Sequence, residues 1–169
     1  YSFQKVQVSS TLVTEPVQKV YYKFKAKKRT YFVTIEVFSF GFAAIKYCDL
    51  KDRNSKKAYE KEFNDFDAFK VITTCLFIMV DYLRSNPAIT FAFYAVPRPA
   101  DAHLNRKVRF NIYSYAMLNL FPPSRFDRIS DKDNSMFILL NKKQRKPKTS
   151  FKRFALYILN NYELIFTPE

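Results

Sequence analysis

The sequence predicts an α+β fold, in which an antiparallel-rich sheet carries a long helix on one face. Three observations support this class. Aromatic and β-branched residues alternate with polar ones between residues 19 and 47. The apolar spacing then changes to a helical period. The predicted element order, β-β-β-α-β-α-β-β-α, groups strands before helices, which is typical of α+β proteins.

Residues 1–16 are rich in serine, threonine, valine and glutamine, which predicts an extended lead-in or an edge strand. Three strands are then expected, over 19–25, 30–38 and 41–47, joined as an antiparallel meander. The residues between 49 and 61 are highly charged and are predicted to form a surface loop. The strand side chains expected to face inward are Val20, Tyr22, Phe24, Tyr31, Val33, Ile35, Val37, Ala43, Ile45 and Tyr47.

The long helix is predicted from one apolar stripe, formed by Phe66, Phe69, Ile72, Leu76, Met79 and Leu83. Ser85–Pro87 should end it, because proline cannot continue a helix. Its apolar run, residues 71–80, is half the ~20 residues that a bilayer requires, so we expect a buried helix and no membrane association.

A further strand is expected within 88–96, with Ile89, Phe91 and Phe93 facing inward. A second helix from Asn105 follows, with its buried stripe expected at Val108, Ile112, Tyr115 or Ala116, and Asn119. Residues 125–129 and 136–140 are predicted to pair as a hairpin. The expected organisation is a lead-in at 1–16, one domain at 17–141, a basic linker at 142–149, and a C-terminal helix and tail at 150–169. Ser150 is expected to cap this last helix. The residues expected on its buried face are Phe151, Phe154, Ala155, Ile158 and Tyr162.

Rare residue types exclude several function classes. The only glycine, Gly41, rules out P-loop and dinucleotide fingerprints, which need several glycines for close phosphate approach. The only histidine, His103, lies in a predicted loop without a partner motif. Cys48 and Cys75 cannot form a zinc finger, and Cys75 is expected in the core, although a disulfide between the two stays open. We therefore expect no cofactor and no metal, and a reducing cytoplasmic location.

Charge is the first functional signal. The chain has 29 lysines and arginines against 15 acids, a net charge of +14. Such an excess attracts polyanions through counterion release, so nucleic acid or another polyanion is the expected partner. The candidate phosphate-contacting residues form three clusters: Lys25, Lys27, Lys28 and Arg29; Arg106, Lys107 and Arg109; and Lys142, Lys143, Arg145, Lys146 and Lys148.

Aromatic residues are the second signal. Basic grooves with aromatic platforms hold single-stranded nucleic acid, because bases stack on the rings. If the alternating strands bury the faces given above, then Tyr21 and Phe32, or Phe38, point outward beside the first basic cluster and could stack bases. The alternative interpretation is that these rings close the core or an oligomer interface.

A third pattern is an acid on one strand followed by acid-x-Lys on the next: Glu36, Asp49 and Lys51. It resembles the PD-(D/E)xK nucleases, in which paired carboxylates hold Mg²⁺ and the lysine stabilises developing charge. The helix with a further acid that such nucleases carry is not predicted before residue 19.

A wider resemblance rests on residues 67–74 (Asp-Ala-Phe-Lys-Val-Ile-Thr-Thr), preceded by the meander and followed by an aromatic strand and by Arg109-x-x-x-Tyr113. This layout, over about residues 19–120, resembles small uncharacterised proteins of phages and Bacteroidetes-type bacteria. The resemblance implies a shared fold and a mobile-element setting, and it brings no activity or site residue. The order of meander and helix also resembles the PUR and Whirly single-strand binders.

The sequence thus favours a non-enzymatic basic module that binds nucleic acid, with single strands as the form its aromatics suit. Two alternatives stay open. One is a structural, interaction or inhibitor protein associated with phages, which docks on a protein partner or on its own copies. The other is the Mg²⁺-dependent nuclease.

Overall fold

A computed structural model describes residues 2–10, 15–27, 29–55, 58, 68–94, 108–131, 136–144, 152–154 and 156–157. The described elements form an α+β fold, as the sequence predicts. The strands are β1 (Gln4–Ser10), β2 (Gln18–Ala26), β3 (Arg29–Val37), β4 (Phe42–Asp49), β5 (Thr90–Tyr94), β6 (Phe126–Asp131) and β7 (Met136–Asn141). The helices are α1 (Ala68–Ser85) and α2 (Val108–Leu120), a 3-10 turn (Leu50–Asp52), and helical residues at 152–154 and 156–157.

The strands make one sheet in the order β1-β2-β3-β4-β5-β7-β6. Every neighbouring pair is antiparallel except β4 and β5, which are parallel and connected through α1. The predicted meander is therefore β2-β3-β4, and the predicted hairpin is β6-β7. Of the two alternatives for the first residues, the edge strand is correct, since β1 pairs with β2.

One face of the sheet, called the inner face here, packs against α1 and α2. The predicted inward residues of β2 and β3, among them Tyr22, Val33 and Ile35, are buried there against α1 residues such as Met79. Cys75 is in this core, as expected. The predicted place of Phe69 is wrong, because its side chain is 73% exposed and the buried stripe begins with Val71 and Ile72.

The buried stripe of α2 also differs from the prediction. The helix packs through Phe110, Tyr113 and Met117, which follow the i, i+3, i+7 spacing of one helix face. Phe110 and Tyr113 contact Phe93 of β5. Of the two predicted alternatives, Tyr115 is 71% exposed, whereas Ala116 is partly buried against the core. The predicted helical spacing is confirmed, but the buried face of α2 is the one next to the predicted face.

The opposite, outer face carries a second apolar cluster. Phe38, Phe40 and Phe42 lie there, and Phe154 and Tyr157 of the C-terminal helical residues pack on them. The expectation that Phe38 could face outward for base stacking is therefore wrong, because Phe154 and Tyr157 bury it. The described C-terminal residues, 152–154 and 156–157, pack on the β4-β5-β7 side of the outer face and not on the β2-β3 side, which we call the open side.

Gln144 joins the end of β7 to the turn before β4. Its side-chain amide donates to the carbonyl oxygens of Phe40 (3.0 Å) and Gly41 (3.3 Å), and its amide oxygen accepts from Thr90 Oγ1 (3.0 Å). Gly41 has a φ of +82°, and a Cβ there would lie 2.5 Å from Gln144 Nε2. Two constraints thus select glycine: a left-handed backbone and a close side-chain approach.

We expect Gly41→Ala to lower the free energy of unfolding by about 1–2 kcal/mol from the left-handed backbone alone. The displaced Gln144 amide should add to this loss. Urea denaturation of Gly41→Ala, Gln144→Ala and the double variant measures both parts. Gly41→Ala should cost less in the Gln144→Ala background, and equal costs in the two backgrounds would show that the close approach is not a constraint.

Candidate nucleic-acid interface

The first predicted basic cluster lies at the β2-β3 hairpin, and the hairpin divides it. Lys25 is exposed on the outer face. Lys27 is at the tip, with a φ of +42°. Arg29 lies on the other side, where its guanidinium bonds to Asp49 Oδ2 at 3.2 Å. Lys28 lies outside the described residues. Of the three described cations, only Lys25 belongs to the outer face.

Register and alternation gather a different set of side chains on the open side of the outer face. Lys19, Tyr21, Lys23 and Lys25 occupy successive outward positions of β2, and they lie opposite Glu36, Thr34, Phe32 and Thr30 of β3. Lys46 of β4 lies opposite Thr34. We call this set the basic-aromatic patch; its members are Lys19, Tyr21, Lys23, Lys25, Phe32, Glu36, Lys46 and Arg53.

The rings of the patch form an ordered stack. Tyr21 and Phe32 are 5.4 Å apart between centroids, with 23° between their planes. The guanidinium carbon of Arg53 lies 5.9 Å from the centroid of Phe32. Such cation–π and stacking contacts hold side chains in place on a surface. Both rings are half-buried, so the predicted outward orientation of Tyr21 and Phe32 agrees with the structure.

Glu36 organises the cations at the other end of the patch. Its carboxylate is buried between two lysines, with Lys46 Nζ at 2.6 Å and Lys19 Nζ at 3.6 Å. Because two lysines surround one carboxylate, this end of the patch keeps a net positive charge. Lys23 and Lys25 are exposed, and within the described part of the chain neither has an ion-pair partner. These two lysines are available to an incoming anion.

The other two predicted basic clusters contribute little to the described surface. Arg109 lies in the first turn of α2, and its side chain is outside the described part of the structure. Arg106 and Lys107 lie wholly outside the described residues. Lys142 is engaged at the β6-β7 edge by Asp127 Oδ1 (3.3 Å) and by the carbonyl of Pro123, and Lys143 is exposed beside it. The rest of that cluster lies outside the described residues: Arg145, Lys146 and Lys148.

The structure does not bring the proposed nuclease trio together. Glu36 is on the outer face, opposite Ala44, while Asp49 pairs with Tyr31 on the inner face. The two positions are five residues apart along β4, or about 17 Å at ~3.4 Å per residue. Asp49 instead accepts from the Lys51 backbone N–H and from Arg29. Within the described residues, no three histidine, cysteine or acidic side chains cluster as a metal site requires.

The patch includes four residues that were not among the predicted site residues: Lys19, Lys23, Lys46 and Arg53. Three of them carry a signal in the sequence. Lys19 and Lys23 alternate with buried residues in β2, and Lys46 does so in β4, so strand alternation places them outward. The contribution of Arg53 depends on the turn after β4, which alternation does not describe.

Comparison of the chain with protein-family models, with curated proteins and with solved structures finds no match. Among the described helices, none is both long and apolar enough to cross a lipid bilayer. The geometry of the basic-aromatic patch is therefore the basis for proposing a function.

The two cysteines lead to a chemical prediction. Both are free and buried. Burial and the nearby Asp52 and Asp49 carboxylates raise the pKa of Cys48 to about 11, and burial raises the pKa of Cys75. Thiolates are the reactive form, so neither thiol should react with an aromatic disulfide reagent at pH 8 within minutes. Both should react in denaturing urea, whereas a fast native reaction would contradict the burial described here.

Proposed function

We propose that the protein binds nucleic acid through the basic-aromatic patch, as a non-enzymatic module. The observation that carries this proposal is that two exposed lysines, which have no ion-pair partner among the described residues, lie on the same sheet face as the half-buried Tyr21 ring. Nucleic acids offer both matching chemistries, because their phosphates attract cations and their bases have π faces. Lys23 and Lys25 have the exposure that phosphate contacts require.

An acidic protein surface is the competing partner. It would match the lysines, and its carboxylates could accept a hydrogen bond from the Tyr21 hydroxyl, but they would gain nothing from the face of the ring. A protein interface also tends to bury aromatic anchors in pockets of the partner. In this patch, Phe32 already has Tyr21 and Arg53 as neighbours, so the rings form a preformed stack with the far face of Tyr21 at its end rather than a projecting anchor. Flat stacking surfaces favour planar ligands such as bases.

The double variant Lys23→Gln, Lys25→Gln tests the proposal. Each neutralised phosphate contributes ~0.7 to the salt slope for a single strand and ~0.9 for a duplex. Losing two contacts should therefore reduce the slope of log Kd against log salt by about 1.4–1.8. Fluorescence anisotropy of labelled oligonucleotides across a salt series measures this slope.

The matched control is Lys70→Gln, Arg84→Gln on α1. Both side chains are exposed, and α1 covers the inner face, so this variant removes the same charge from the opposite side of the sheet. It should keep the wild-type slope. Equal losses in the two variants would mean that net charge and not the patch binds the oligonucleotide. No binding near physiological salt would remove the proposal and turn the search to an acidic protein.

Glu36→Gln gives an opposite prediction. Removing this carboxylate takes one negative charge out of the patch and leaves Lys19 without its ion-pair partner, so oligonucleotide affinity should rise several-fold at low salt. The same anisotropy assay measures the change, and urea denaturation checks the fold. Weaker binding by a folded variant would mean that the ion pairs position the lysines for binding. Mg²⁺-dependent cleavage that disappears in this variant would instead support the nuclease.

A further inference from the structure

The stacked side chains of the patch leave one ring face open. Tyr21 reaches Phe32 from β2, on one side of β3, and Arg53 reaches it from the segment after β4, on the other side. The two neighbours therefore occupy opposite faces of the Phe32 ring. Tyr21 has Phe32 on one face, and no described residue makes a ring contact on its other face. The order of the stack is Arg53, Phe32, Tyr21, and then a position on the β1 side of Tyr21 that no described ring or cation fills. The exposed Gln7 of β1 lies opposite Tyr21 there, and we call this site beside the Tyr21 ring the open position.

We propose that this open position takes a single unpaired base, so that the protein prefers single-stranded nucleic acid. The inference rests on the proposed nucleic-acid binding and assigns separate roles within it. Tyr21 contacts the base, while Phe32 and Arg53 hold the Tyr21 ring and do not touch the nucleotide. Lys23 lies about 7 Å from Tyr21 along β2 and would contact a phosphate of the stacked nucleotide, whereas Lys19, at the same spacing on the other side, is paired with Glu36.

The geometry also distinguishes a single strand from a duplex. In a duplex, each base is stacked between its neighbours, and only phosphates, sugars and groove edges reach the surface. A ring lying in a sheet face cannot contact a base there unless the base leaves the helix, which costs a few kcal/mol. Duplexes therefore meet only the lysines of the patch. An unpaired strand meets the lysines and Tyr21 together.

The test uses three fluorescent probes with equal numbers of phosphates: oligothymidylate, an abasic strand of the same length, and a blunt duplex. One stacked base is worth ~1–3 kcal/mol, or about 5- to 140-fold in Kd. We expect the wild-type protein to bind oligothymidylate more tightly than the abasic strand by a factor in this range. Tyr21→Leu should lower the affinity for oligothymidylate to that for the abasic strand, and Tyr21→Phe should keep the preference.

Tyr115→Leu is the control, because it removes a tyrosine that is more exposed than Tyr21 from α2, on the other side of the sheet. It should leave all three affinities unchanged. Equal wild-type affinity for the thymidylate and abasic strands would overturn base stacking and leave phosphate binding intact. An equal loss for both strands in Tyr21→Leu would also overturn it, since that result indicates a structural role. Failure of all three probes to bind would overturn nucleic-acid binding itself.

Discussion

A seven-stranded sheet has two broad faces, and the way each is covered determines the rest of this structure. The inner face is buried by α1 and α2, so alternate residues of β2–β5 are apolar. The outer face has no second pair of described helices. Its β4-β5-β7 side is closed by Phe38, Phe40 and Phe42 beneath Phe154. No described helix packs on the β2-β3 side, where Arg53 lies over Phe32 and long side chains of the strands supply the rest of the described cover. The basic-aromatic patch lies on this side.

Strand alternation and the helical period made most of the fold predictable. They placed the meander, α1, β5 and the β6-β7 hairpin, because each has one apolar face and one polar face. They failed where both faces are apolar. In α2, Phe110, Ile112 and Tyr115 are all compatible with a buried stripe, and only contacts with Phe93 decide which face is buried. For Phe38, the deciding partner is Phe154, more than a hundred residues away, and no local pattern reports such a contact.

The candidate site was less predictable, for a related reason. Basic residues that are consecutive in the chain appear as a cluster in the sequence, but consecutive strand residues point to opposite faces. The run from Lys25 to Arg29 is accordingly divided, and Arg29 is held on the inner side by Asp49. Residues two apart share a face, so Lys19, Tyr21 and Lys23 form part of a real surface although they are not a run. Lys46 joins them only through the register of β3 with β4.

The local arrangement also matters more than the net charge of +14. At physiological ionic strength the Debye length is ~8 Å, so charges farther apart are largely screened from one another. Neighbouring strands are ~4.8 Å apart, so a ligand on β2 would feel the outer-face lysines of β2 strongly and Lys46 of β4, two strands away, less. A cluster elsewhere on the chain steers encounters but adds little to a bound ligand. Glu36 pairs with Lys19 and Lys46, so among the described lysines Lys23, about 7 Å along β2, is the unpaired charge nearest the Tyr21 ring. Lys25 lies two residues farther along the strand, beyond the Debye length from the ring. Charge and stacking therefore coincide at Tyr21 and Lys23, where the proposed nucleotide would gain from both.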